Sequence, residues 1–209
     1  MNLRIPSLLL ISALAAAGLL AAGAPAFAAD SVQTTGWTKT QPIVDTAGPG
    51  GLFGTNGFDV FAEQAVGARF TVAAGSDMRL ARIGLWLMNN SDTMRKRIRV
   101  TLQTDALDEG GSETKPSGVV LEQWDSRVQT LGWNPVEQRF DTRSGPLLQA
   151  GRNYWVVAES MSPPFVDPVW TFAKKGSMVT TTTSQGQWQT AGSGASLTLR
   201  VDAAPVTAR

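Results

Sequence analysis

The chain has no cysteine and no histidine among its 209 residues. Without cysteine no disulfide can staple the fold, so stability must come from a hydrophobic core, which a domain of this length can build. Without histidine, Ser-His-Asp and Cys-His catalysis are excluded, as are most zinc and copper sites and the common pH switch. Tyrosine is nearly absent: there is one, against seven tryptophans. That imbalance asks whether some tryptophans face outward. An excess of charge is lacking too. Without Arg4 the 18 basic residues fall to 17, matching the 17 acidic ones. The only dense basic cluster is Met94-Arg95-Lys96-Arg97-Ile98-Arg99, at a strand start. Nucleic-acid binding needs a basic stripe. Solvated charges that deter edge pairing are the simpler reading here.

What is present begins with an export pattern. Arg4 supplies a positive start, Leu8 to Leu20 an apolar run rich in alanine, and Ala26-Phe27-Ala28 a small-x-small cleavage site. Residues 1–28 read as a signal peptide cut after Ala28. The expected location is therefore secreted or periplasmic, with no membrane span in the mature chain.

Residues 29–57 read as an N-terminal arm and glycine-rich loop, with one edge strand around Trp37. Gly48-Pro49-Gly50-Gly51 and Gly54-Thr55-Asn56-Gly57 argue against regular elements. No Lys-Ser/Thr follows them, so a phosphate cradle is not expected. From residue 58 to 202 strands recur with period two. In Leu80–Met88, Ile83, Leu85 and Leu87 point one way and Arg82, Gly84, Trp86 and Met88 the other. In Arg97–Thr104, Ile98, Val100 and Leu102 point inward. Asp105–Gly118 reads as a long loop, Val119–Trp124 as a strand, and Asp125–Pro135 as a loop carrying Trp133. In Val136–Asp141, Val136, Gln138 and Phe140 oppose the charged positions. Gly151-Arg152-Asn153 reads as a tight turn. Tyr154–Ala158, aromatic and β-branched, reads as a strand buried on both faces. Pro163-Pro164 and Pro168 force a crossing, Met178–Thr183 is a further strand candidate, and Leu197, Leu199 and Val201 point inward from the last strand. Residues 203–209 read as a flexible tail. No trustworthy helical period occurs outside the signal peptide. The expected fold is all-β: an antiparallel β-sandwich, jelly-roll-like, with about eight to ten strands. An immunoglobulin-like sandwich is the second choice, lacking the Cys…Trp…Cys spacing.

The order ARFTVAAG, LARIGLWL, IRVTLQTD, KPSGVVLEQW, PLLQAGRNYWVVAE, VW and GQWQTAGSGASLTLRV, over Ala65–Val201, resembles bacterial extracellular choice-of-anchor modules. These often precede a sorting signal of the PEP-CTERM kind. The resemblance implies a structural exported β-sandwich and carries no reaction. After Val201 there is no Pro-Glu-Pro, no apolar span and no arginine cluster, so this chain is expected to lack the anchor.

Four readings of the chemistry remain. A glycoside hydrolase or lyase would need paired carboxylates. Glu122, Asp125, Glu137, Asp141 and Glu159 are the strand acids, and Glu122 and Glu159 lie near Trp124 and Trp155. They lack a recognisable spacing, so solvated strand acids, or partners for Arg97, Arg99 and Arg139, are the preferred roles. A carbohydrate-binding module would stack sugars on exposed aromatics, and Trp133 and Trp188 are the candidates. A structural calcium is conceivable in the acidic stretch Asp105–Gly110, though the EF-hand order is missing. The favoured reading is an exported, non-catalytic module. It has no catalytic residue and no cofactor, and its partner is a polysaccharide or another surface protein.

Overall fold

The computed structural model describes residues 39–47, 52–107, 114–162, 167–176, 179–182, 186–191 and 196–206. The signal-peptide region, Trp37, Gly48–Gly51, Asp108–Gly110, Pro163-Pro164, Met178 and Gly192–Gly194 lie outside those residues. Among the described residues there is no helix and there are thirteen strands. In chain order they are Gln41–Asp45 (β1), Leu52–Asp59 (β2), Val66–Thr71 (β3), Met78–Asn89 (β4) and Arg97–Leu107 (β5). Then come Thr114–Arg127 (β6), Val136–Asp141 (β7), Leu147–Leu148 (β8) and Asn153–Ser160 (β9). Pro168–Ala173 (β10), Val179–Thr182 (β11), Trp188–Thr190 (β12) and Leu199–Pro205 (β13) complete the set.

The strands form two antiparallel sheets of seven and six strands, packed as a β-sandwich. β4 is the spine of the first sheet. Arg82 pairs with Asp202 of β13 on one edge and with Asp141 of β7 on the other. Further along, Leu87 pairs with Trp170 of β10 opposite Val136 of β7. Thus β13 and β10 share one edge of β4, while β8 and β7 share the other. β1 extends the sheet beyond β13, and β2 extends it beyond β10. β9 is central in the second sheet, whose order is β12-β11-β3-β9-β5-β6.

Alternation explains the packing. Ile83, Leu85, Leu87, Leu199 and Val201 from one sheet meet Ala68, Phe70, Ile98, Val100, Leu102 and Val156 from the other in one cluster. Each large aliphatic side chain so buried contributes about 1.5–3 kcal/mol. β9 is buried from Tyr154 to Ala158, on both faces. Trp155 is fully buried and pairs with Arg69 of β3, whose guanidinium donates to the Thr114 hydroxyl of β6 at 2.6 Å. Gly151 turns the chain into β9 at φ +73°.

The sheets take in more chain than period two suggests. The Gly54–Gly57 stretch, expected to be irregular, lies within β2. Glycine is required there by tertiary packing: a Cβ at Gly57 would stand 2.3 Å from the Trp170 carbonyl oxygen. The stretch read as a long loop, Asp105–Gly118, belongs largely to β5 and β6. Bulges after Leu102 and Gln103 break its alternation, with Gly118 at φ +80° donating its N–H to Gln103 Oε1. Ala203 and Ala204, read as tail, are buried in β13. Pro168 opens β10 instead of interrupting a strand, the position a residue without N–H tolerates.

Candidate binding surfaces

Two loops emerge together at one end of the sandwich. Residues 90–96 join β4 to β5, and residues 128–135 join β6 to β7. They are tied by backbone bonds: Asn89 N–H to Gly132 O at 3.0 Å, Gly132 N–H to Ser91 O at 2.8 Å, and Val128 N–H to Lys96 O at 2.9 Å. Asn89 Nδ2 donates to the Met94 carbonyl. Ser91 Oγ accepts from the N–H groups of Thr93 and Met94. Thr130 Oγ1 donates to Asn134 O at 3.0 Å. Gly132 sits at φ +67°, and a Cβ there would meet the Asp92 carboxylate at 2.6 Å. The backbone of these tips is therefore well determined. Their side chains are not covered: Met94 is 54%, Leu131 40% and Trp133 55% exposed. Arg95, Arg97 and Arg127 are exposed beside them and form no ion pair among the described residues. Arg97 and Arg127 face each other across β5 and β6.

Trp188, the other proposed stacking residue, is half-buried on the edge strand β12. Five inter-strand steps separate β12 from β6, on the order of 20 Å. The structure does not bring Trp133 and Trp188 onto one platform. Trp124, Trp155 and Trp170 are buried, and each indole N–H is bonded: to Asp141 O at 2.8 Å, Asp105 Oδ1 at 2.6 Å and Thr198 O at 2.7 Å. Trp86 is half-buried.

Four of the five strand acids have partners. Glu122 is buried and accepts from the Thr142 hydroxyl at 2.5 Å, from Arg143 N–H, and from the Ser144 hydroxyl at 3.1 Å. Burial alone would raise its carboxyl, but these donors hold it below the usual glutamate range. Asp125 is paired with Arg99 at 2.8 Å, whose hydrogen bonds hold its carboxyl low. Arg139 pairs with Glu137 at 2.7 Å and Arg82 with Asp141 at 2.6 Å. Glu159 is exposed and shares a row with Asp125, but Arg99 stands between them. Their backbones are two strand spacings apart, about 10 Å. An open sheet face with a guanidinium at its centre is not the walled gap that paired-acid glycoside hydrolysis requires.

Two polar features emerge only from the fold, although Asp105 of the first also begins the acidic stretch considered for calcium. At the opposite end, a cleft of about 400 Å³ is lined by Thr104, Asp105, Gln149, Gly151, Arg152, Asn153 and Tyr154. The Asp105 carboxylate accepts from Trp155 Nε1 and, at 3.2 Å, from Asn153 Nδ2. Elsewhere, burial raises the carboxyls of Asp59 and Asp167; the neighbouring Asp59 raises Asp167 further, and Lys96 offsets part of this. Among the described residues, no three acid, histidine or cysteine groups are grouped to hold a metal ion. Both features depend on long-range pairing, which left no local signal. Met94 and Leu131 were equally hidden, since only the backbone bonds of Asn89, Ser91 and Lys96 to Gly132 and Val128 make their loops neighbours.

No protein-family model, curated protein or solved structure matches the chain.

Proposed function

We propose that the chain is an exported, non-catalytic β-sandwich module of the cell surface or extracellular matrix, acting by contact through the Trp133 loop end. One observation carries this: a tryptophan more than half exposed, flanked by Met94 and Leu131, on loops pinned by mutual hydrogen bonds. Exposed apolar groups on a preordered backbone lose little freedom on binding, which favours affinity. Export rests on the pattern of Arg4, the apolar run and Ala26-Phe27-Ala28. The likeness to choice-of-anchor modules belongs to the same proposal. The absence of covalent chemistry rests on the missing histidine and cysteine and on four strand acids engaged by arginines or by the Thr142–Ser144 turn, which leaves Glu159 without a second free acid among them.

Incubation of the purified protein with a polysaccharide panel is the test. No chain shortening is expected with any substrate. Turnover that disappears in Glu159→Gln, with the melting curve unchanged, would make the protein a carboxylate enzyme instead.

A second reading, glycan binding, is favoured by the cleft at Asp105. Its carboxylate is oriented by two N–H donors, and Gln149, Asn153 and Arg152 supply further polar groups. That is the lining a polyhydroxylated ligand uses. In this reading the ligand sits there, away from Trp133 and Trp188.

A further inference from the structure

The loop end combines a basic strip with exposed apolar tips. Arg97 and Arg127 are directly opposed across an antiparallel pair, an arrangement that repels. The acids nearest along the face are Asp125, already bonded to Arg99 by two hydrogen bonds, and Glu159, which pairs with Arg99 across β5 and β9. Arg95 adds a third exposed cation, and Asp92 is the one acid on the 90–96 loop. Beside this basic strip the loop tips present Met94, Leu131 and Trp133 to water.

We infer that this end docks on an anionic lipid surface, with the arginines at the phosphates and Trp133, Leu131 and Met94 entering the interface. This rests on the contact surface proposed above and names its partner. Tryptophan favours the headgroup boundary, where an apolar ring and a polar N–H are both accommodated. Arginine near a negative leaflet adds a favourable charge contribution that salt screens. A sugar polymer would use the indole but gains nothing from methionine and leucine at the tips. A lipid interface uses all three. The tips lie on loops that leave the strand ends, with their apolar side chains exposed to a flat partner.

The experiment is co-sedimentation of the purified protein with vesicles of phosphatidylcholine, and with vesicles of phosphatidylcholine and phosphatidylglycerol in equal parts. Binding is expected to the mixed vesicles only, weakening as salt rises. Trp133→Ala should weaken it about tenfold, and the double change Arg97→Gln, Arg127→Gln about thirtyfold. Trp188→Ala, on the opposite edge, should leave it unchanged and controls for folding. Absence of binding to the mixed vesicles, equal binding to neutral vesicles, or full binding by Trp133→Ala each overturns the inference. So does retention on a sulfated polysaccharide without vesicle binding. In those cases the contact reading stands or falls separately, on whether Trp133 is open to solvent.

Discussion

Trp170→Ala is expected to lower stability by about 3–5 kcal/mol, the range for truncating a large buried aromatic. Trp170 is fully buried, in β10, between Phe58 of β2 and Leu87 of β4. Its indole N–H bonds the Thr198 carbonyl at 2.7 Å, so truncation also leaves that acceptor without its donor. The β2 backbone approaches it closely at Gly57, which limits how far the sheet can relax into the cavity. For a domain of this size the loss corresponds to a melting point lowered by roughly 10 °C. Trp170→Phe keeps most of the apolar area and should cost less than half as much. Trp133→Ala should stay within about 0.5 kcal/mol of the parent, as exposed positions do. Urea melts of the three variants decide this. A Trp170→Ala protein as stable as the parent would place the tryptophan outside the core.

Glu122→Ala has the second-largest expected effect, about 2–3 kcal/mol at neutral pH. The carboxylate closes the turn after β7, and its removal orphans the donors of Thr142, Arg143 and Ser144. Arg143 and Ser144 are exposed, so water takes over part of the bonding and keeps the loss from being larger. The Glu122 carboxyl is held below its ordinary range in the folded state. Its contribution is therefore fully present above the unfolded-state value and lost as pH falls through the folded-state value. The stability gap between parent and variant should narrow on acidification through the carboxylate range. Urea midpoints at neutral and acid pH check it. A gap that stays constant would mean that the charged form has no preferential bonding in the fold.

The sandwich was legible where alternation is strict and the inward positions are aliphatic. Ile98, Val100 and Leu102 of β5, and Ile83, Leu85 and Leu87 of β4, are all fully buried, as their spacing implies. Tyr154–Ala158 was legible for another reason: a β-branched and aromatic run fits a strand covered on both faces. β2 was not, because Gly57 answers the nearness of Trp170, more than a hundred residues away in sequence, while Gly54 sits at φ +62°. Nor were the ends of the β5–β6 hairpin, where bulges shift the period. Alternation also says nothing of strand order. The expectation of eight to ten jelly-roll strands compares with thirteen among the described residues, arranged around β4 and β9. Of the site, Trp133 could be read from its polar and turn neighbours. Trp188 had similar neighbours, but its edge strand leaves it half-buried. Glu122 stood out as an acid near a tryptophan, yet its donors lie about twenty residues on, in a turn it reaches only after β7 has joined the opposite sheet.

The most direct measurement is iodide quenching of intrinsic fluorescence in the parent and in Trp133→Phe. The loop-end surface predicts that the readily quenched part of the emission falls sharply in the variant. Among the other tryptophans of the described residues, Trp86 and Trp188 should contribute only a partial response, and Trp124, Trp155 and Trp170 should resist quenching. Unchanged quenching in Trp133→Phe would contradict the account, because the contact surface would then have no exposed tryptophan.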